Sequence, residues 1–412
     1  MLFAQMVDDP SSDPERFSTD EAVENERQRL FKIIEDLVIW ENSTNEEVIE
    51  RARVEIRKSC AGELPPIYDP FSGGGSIPLE AQRLGLPAFG SDLNPVAVMI
   101  GKAMIEIPPR YKDCRPVHRG VLDRNHYRNA EGLAEDVRFY GRQIREQALE
   151  RIGNLYPDVT LPKELGGGNA TPMAWKTFLS GSTPTRAMIT GGVCSAYGLS
   201  TWGHLFSDRQ MVALLTFSEL VHAIGAHIER DAIAAGLADD KIPLRSGGTG
   251  AKAYAEAVSV YLAFAVDKCA DYWSSLCSWH SSGEKMRNTF GRQALPMVWD
   301  YAEANPFCDS SGNWGAMLDW VWKTVENIHP GNSGVEVQSD AQAVIYPPKT
   351  VISTDPPYYD NIAYADLSDF FFCWMKPSLK HIYPDLFGLL STPKAEELVA
   401  TQFRRPQGPP TQ

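Results

Sequence analysis

Apolar residues recur at helical intervals twice in the charged opening of the chain. "LFKIIEDLVIW" continues a helix that Ser18 and Glu21 open as a capping box, and "NEEVIERARVEIRKS" predicts a second. From Leu64 the pattern changes. "PPIYDP" predicts a short strand, "SIPLEAQRLG" a helix, "PAFGSD" a strand and "NPVAVMIGKAM" a helix, the βαβα alternation of a parallel sheet. Between about residues 111 and 329 helical spacing takes over. Ser207 and Gln210 cap "RQMVALLTFSELVHAIGAHIERD", and one long helix is predicted over "AKAYAEAVSVYLAFAVDKCADYWSSLCSW". Strand signals return at "GVEVQ" and "KTVISTDPP", the latter a β-branched run that breaks at a double proline, and "LSDFFFCWM" predicts a buried amphipathic helix. The order implies an α/β fold whose sheet is interrupted by a helical insertion. The expected segments are 1–62 (N-terminal helices), 63–110 and 330–392 (two parts of a sheet domain), 111–329 (insertion) and 393–412 (a disordered tail without periodicity).

With 412 residues, 43% of them hydrophobic, the chain is long enough to bury a substantial core. A net charge of −14 argues against non-specific coating of nucleic acid, so any such contact must be local. Two stretches qualify. Residues 110–128, "RYKDCRPVHRGVLDRNHYR", carry six Lys/Arg against two Asp with Tyr111, His118, His126 and Tyr127 between them, and a second stretch offers Lys285, Arg287 and Arg292. Seven cysteines without a CxxC pair argue against a zinc site, and their odd number without a signal peptide suits reduced thiols in a cytoplasm. The longest apolar run, Ala257–Val266, is too short to span a bilayer, so no membrane partner is expected.

The candidate chemistry sits at predicted strand ends. One strand ends in Asp69 and runs through Phe71, Ser72, Gly73, Gly74 and Gly75 into a helix, letting backbone approach a ligand. The next strand ends in Asp92, near the spacing at which an acidic side chain grips ribose hydroxyls. Together they suggest an adenosine-containing cofactor, and the missing GxGxxG spacing makes a nicotinamide cofactor the poorer fit. Asp355-Pro356-Pro357-Tyr358, at the end of a later strand, is more specific. It resembles the catalytic loop of the amino-methylating DNA methyltransferases, which implies an exocyclic amino nitrogen as target, and such a nitrogen is a poor nucleophile until acceptors hold its hydrogens. The Asp355 carboxylate and the Pro356 carbonyl are such acceptors, the prolines stiffen the loop, and Tyr358 can stack on an extruded base. Methylation at cytosine carbon 5 would call for a Pro-Cys nucleophile, and the sequence contains none.

With "DPFSGGG" as cofactor loop and "DPPY" as catalytic loop, the sequence resembles the amino-methylating DNA methyltransferases. Within them it is similar to the adenine-specific DNA methylases described as containing a Zn-ribbon, often associated with phage-defence loci, through "SDLNPVAV", "YGLSTWGHLFSDRQ", "TFGRQALPMVWDYAEANPF" and "DPPYYDNIAYADLSDFF" as well. The resemblance implies a Rossmann-like methyltransferase sheet that binds S-adenosyl-L-methionine. Gly73 and Gly75 would lie against its methionine part, with Asp69, Phe71 and Ser72 beside it, Asp92 on the ribose and Asp340 at the adenine. The implied substrate is the adenine amino group (N6) of a flipped base in DNA, with the insertion as target-recognition region and a partner subunit or defence-system proteins as further partners. Cytosine N4 in DNA, guanine N2 in RNA and an inactive remnant stay open as alternatives. Two departures stand out. The ribbon cysteines are absent, so no metal is expected, and only 54 residues follow Tyr358 where such a sheet continues with further strands, so a truncated chain is expected.

Overall fold

The structure is a computed structural model that describes residues 1–120, 126–157, 183, 193–359 and 362–400. It contains strands β1 (Ile67–Asp69), β2 (Ala88–Asp92), β3 (Ser278–His280), β4 (Lys285–Arg287), β5 (Val335–Gln338) and β6 (Val351–Ile352). Two compact units result. The first comprises Met1–Leu93, Ala97–Lys112 and Asn327–Pro356, and the second Asn94–Val96, Asp113–Glu326 and the chain from Pro357 onward.

The first unit is a parallel sheet in the order β5-β2-β1-β6. From β1 the chain passes through helix Ser76–Arg83 to β2, steps outward to β5, and then returns to the opposite side of β1 as β6. The winding direction therefore reverses between β1 and β6, and the carboxyl ends of strands at such a reversal are where open α/β sheets bind ligands. Ile67, Ala81, Leu84, Leu86 and Ala88 form a core with Ala52 and Ile56 of helix Glu46–Ser59, Ile33 of helix Asp20–Val38, and Leu2, Phe3 and Met6 of the first helix. The expected Ser18 cap is displaced by one residue: Thr19 is the N-cap, accepting from the Ala22 amide at 3.2 Å. The strand predicted over "KTVISTDPP" pairs only at Val351 and Ile352, with one more bond from the Ser353 amide to Tyr68 O at 3.1 Å.

The second unit is built on helices Glu131–Ile152, Asp208–Ala234, Ala251–Tyr272, Trp314–Glu326 and Tyr364–Leu379, with β3 and β4 as an antiparallel hairpin. Ser207 and Gln210 form the expected capping box. Aromatic rings fill the core: Phe217 stacks on Trp314 at 4.4 Å between centroids, and the Trp314 indole donates to Gly141 O at 2.8 Å. The helix predicted to continue through "WSSLCSW" stops at Tyr272 instead. Just before that end, the Asp271 carboxylate accepts from the Phe290 amide and the Asn288 side chain, so contacts with distant residues bend the chain into the hairpin.

Two other expectations are corrected. Residues 357–392, assigned from the sequence to the sheet domain, cluster with the helical unit. Part of the expected tail is also anchored, since Lys394 pairs with Asp369 at 2.6 Å and Val399 is buried; residues 401–412 lie outside the described residues. Helix Asp208–Ala234, expected from the sequence, is long and apolar enough to cross a membrane by length and composition, yet half of its most apolar stretch is buried inside the protein.

Candidate functional site

The loop after β1 is tied down residue by residue. Gly73 and Gly75 adopt φ of 51° and 75°, left-handed values that L side chains rarely adopt, and Gly75 then caps helix Ser76–Arg83. The Phe71 amide donates to Asp69 Oδ1 (3.0 Å), the Ser72 amide to Ser91 O (2.9 Å), the Gly73 amide to Asp92 Oδ2 (3.0 Å) and the Gly75 amide to Ser72 O (2.7 Å). A side chain built at Gly74 would meet nothing within 4 Å, so one flank of the loop faces open space.

Asp69 joins this loop to the one after β6. Its carboxylate is buried, and Oδ1 also accepts from the Thr354 hydroxyl at 2.6 Å. Burial pushes its pKa up from the ordinary carboxylate value, partly countered by the bonds from Thr354 and Phe71. Asp355 and Pro356, the next two residues, are exposed. The two loops singled out from the sequence therefore meet at the carboxyl ends of adjacent parallel strands. Pro357 and Tyr358 follow in the chain but cluster with the helical unit, where Tyr358 is exposed.

Asp92 is partly exposed at the end of β2, one carboxylate oxygen fixed by the Gly73 amide. Asp340 lies two residues beyond β5, and its Oδ1 accepts from the Gln342 amide at 2.9 Å, a local turn. Ser72 points inward. Its hydroxyl is buried and donates to Glu336 Oε1 at 2.6 Å, while Phe71 is half-buried.

Glu336 is the residue that sequence reasoning missed. It sits in the middle of β5, fully buried, between the exposed Val335 and Val337, an inversion of the usual alternation. It occupies a slot made by two glycines. A Cβ on Gly90 of β2 would come within 2.1 Å of Glu336 Oε2, and one on Gly101 within 2.5 Å of its carboxyl group. Lys102 reaches the Glu336 backbone carbonyl, but its ammonium pairs with the Glu106 carboxylate at 3.0 Å, and Glu106 also accepts the Glu336 amide at 2.7 Å. The cation nearest the glutamate is thus engaged by another carboxylate. Burial raises the pKa of Glu336 to about 8, against which the Ser72 bond works, while Asp92 and Glu106 push it up and Lys102 down. The sequence signal was an acidic residue between two valines of the strand.

The two nucleic-acid candidates differ. In the stretch 110–128, Tyr111, His118 and Tyr127 are buried, and the His118 ring contacts Asp136 at 2.7 Å, so these side chains serve packing rather than base stacking. Residues 121–125 of that stretch lie outside the described residues. Lys285, Arg287 and Arg292 are all exposed. Among the described residues no group of three or more His, Cys, Asp or Glu could hold a metal.

Comparison with known proteins yields one short match. Over 50 residues the chain is 36% identical to the type II methyltransferase M.MvaI of Kocuria varians. The chain is similar there to a methyltransferase. That stretch is 12% of this chain and 11% of the relative's length. No family model and no solved structure matches.

Proposed function

We propose that this chain is a methyltransferase of Rossmann-like fold that uses S-adenosyl-L-methionine and acts on the N6 amino group of adenine in DNA. The observation that carries the reading is the Thr354–Asp69 hydrogen bond of 2.6 Å, which couples the loop of Asp355 and Pro356 to the glycine loop where the sheet reverses its winding. The short similarity to a type II methyltransferase supports it.

The residues fit such a cofactor. Gly73, Gly74 and Gly75 present backbone with open space on one flank, and the Asp69 and Asp92 carboxylates suit an ammonium group and ribose hydroxyls. When bound, the cofactor supplies an electrophilic methyl group. Asp355 and Pro356, both exposed, would accept hydrogen bonds from the two amino hydrogens so that the nitrogen lone pair takes the methyl group, and the one proton then lost from nitrogen would pass by way of the Asp355 carboxylate to solvent. Tyr358 offers an exposed ring for stacking on a base drawn out of the duplex.

The test is nucleoside mass analysis of DNA, and separately RNA, incubated with the protein and cofactor. N6-methyladenine in DNA, lost in Asp355→Ala, is the expected result. N4-methylcytosine would move the reading to the other base served by such a loop, and label in RNA alone would overturn the DNA assignment.

A further inference from the structure

Glu336 has no role in the reading above, yet it is the most elaborately housed ionisable group in the first unit. Both enclosing glycines leave it room, the Ser72 hydroxyl binds Oε1, and Oε2 has no hydrogen-bond partner although it is buried. Ser72 is in turn the post on which the glycine loop stands: its amide is held by β2, its carbonyl receives Gly75, and its hydroxyl reaches across β2 to β5. A carboxyl group committed to that hydroxyl fixes the side chain of Ser72, and through Ser72 the curvature of the residues on either side.

We propose that Glu336 is a positioning residue for the cofactor loop, acting through the Ser72 hydroxyl, and that it acts as the neutral acid. The inference rests on the cofactor reading for its consequence, but the positioning can be measured without it. The groups around the carboxyl favour neutrality. Asp92 on β2 and Glu106 on the turn after Gly101 are acidic, Tyr68 on β1 is a neutral phenol, and Lys102 is paired with Glu106. An ionised Glu336 would place a second negative charge close to Asp92, the residue that holds the Gly73 amide, with a buried oxygen left unsolvated. Ionisation would strengthen the bond accepted from Ser72 but works against the folded loop at these two points, and burial decides the balance.

The experiment uses the full chain and two variants, Glu336→Gln and Ser72→Ala, from pH 6.5 to 9.5. Two quantities are followed: S-adenosylmethionine affinity by calorimetry, and hydrogen exchange of the amides of residues 71–75, corrected for the intrinsic pH dependence of exchange. In the unaltered protein the affinity is expected to fall about tenfold per pH step above about pH 8, with loop protection falling in parallel. Glu336→Gln, which keeps shape and neutrality, should hold both within about twofold over the range, since neither step then involves a proton. Ser72→Ala should weaken binding at every pH and loosen the loop. Identical pH profiles for the unaltered protein and Glu336→Gln, or unchanged loop exchange in Ser72→Ala, would overturn the positioning role. Absence of cofactor binding at any pH would sink the cofactor reading instead, and the exchange data would still decide the fate of the loop proposal.

Discussion

Replacing Glu336 by glutamine exchanges a titrating group for a neutral one of nearly the same shape, and the consequence for stability follows from the slot it occupies. The side chain is fully buried and its pKa is about 8 in the folded protein, against an ordinary value of 4.5. Below about pH 4.5 both folded and unfolded chains carry the proton and nothing is lost. Between the two values the unfolded chain releases the proton and the folded chain must keep it, which costs the folded state about 1.4 kcal/mol per pH step. By about pH 8 the accumulated cost reaches a few kcal/mol, after which both states are ionised and the curve flattens. Glutamine carries no such burden at any pH. Stability of the first unit, read from exchange of the β2 and β5 amides at pH 5, 6, 7, 8 and 9, should therefore fall more steeply in the unaltered protein than in Glu336→Gln. The gap should widen by a few kcal/mol across that range, and taking the difference between the two proteins cancels every other titration. Parallel curves would mean that the carboxyl is solvated or paired in solution, and the account of the slot would fail.

Three more outcomes are expected. Gly101→Ala gains about 1 kcal/mol of helix propensity but forces a methyl within 2.5 Å of the Glu336 carboxyl, so a net loss of about 1–2 kcal/mol is expected in the unaltered protein and a gain in a Glu336→Ala background, read as a double-mutant cycle. Thr354→Val removes the hydroxyl that joins the two loops and should lower cofactor affinity by about tenfold, equivalent to one net hydrogen bond, while circular dichroism stays unchanged; full affinity would deny that this bond sets the loops. Asp136→Ala strands the Val117 and His118 amides and the Tyr254 hydroxyl that its buried carboxylate receives, and should destabilise the second unit by about 3–5 kcal/mol in urea titrations that follow tryptophan fluorescence.

What could be read from the chain alone was what local chemistry dictates. Glycines held at positive φ at 73 and 75 and the Ser207–Gln210 capping box act over a few residues, and each leaves a mark in sequence. The failures lie where distant residues decide. Helix Ala251–Tyr272 ends where Asp271 binds residues 288 and 290, and no property of "YWSSLCSW" announces those partners. Tyr111, His118 and Tyr127 read as an interleaved basic surface because their neighbours in sequence are charged, whereas in space all three are buried, with the His118 ring against the Asp136 carboxylate.

Glu336 and Ser72 stand 264 positions apart and are hydrogen-bonded, and the contact becomes possible only because the chain winds outward from β1 to β5 before crossing back to β6. The same crossing places Thr354 beside Asp69. One topological reversal thus fixes both supports of the glycine loop: a hydroxyl from the loop after β6 on the Asp69 side, and a carboxyl from β5 at Ser72. The loop's own residues define its turn. Its position on the sheet depends on two side chains that enter the sequence only after a helical insertion of more than two hundred residues, so a change at Glu336 or Thr354 must alter the loop even though no loop residue has changed.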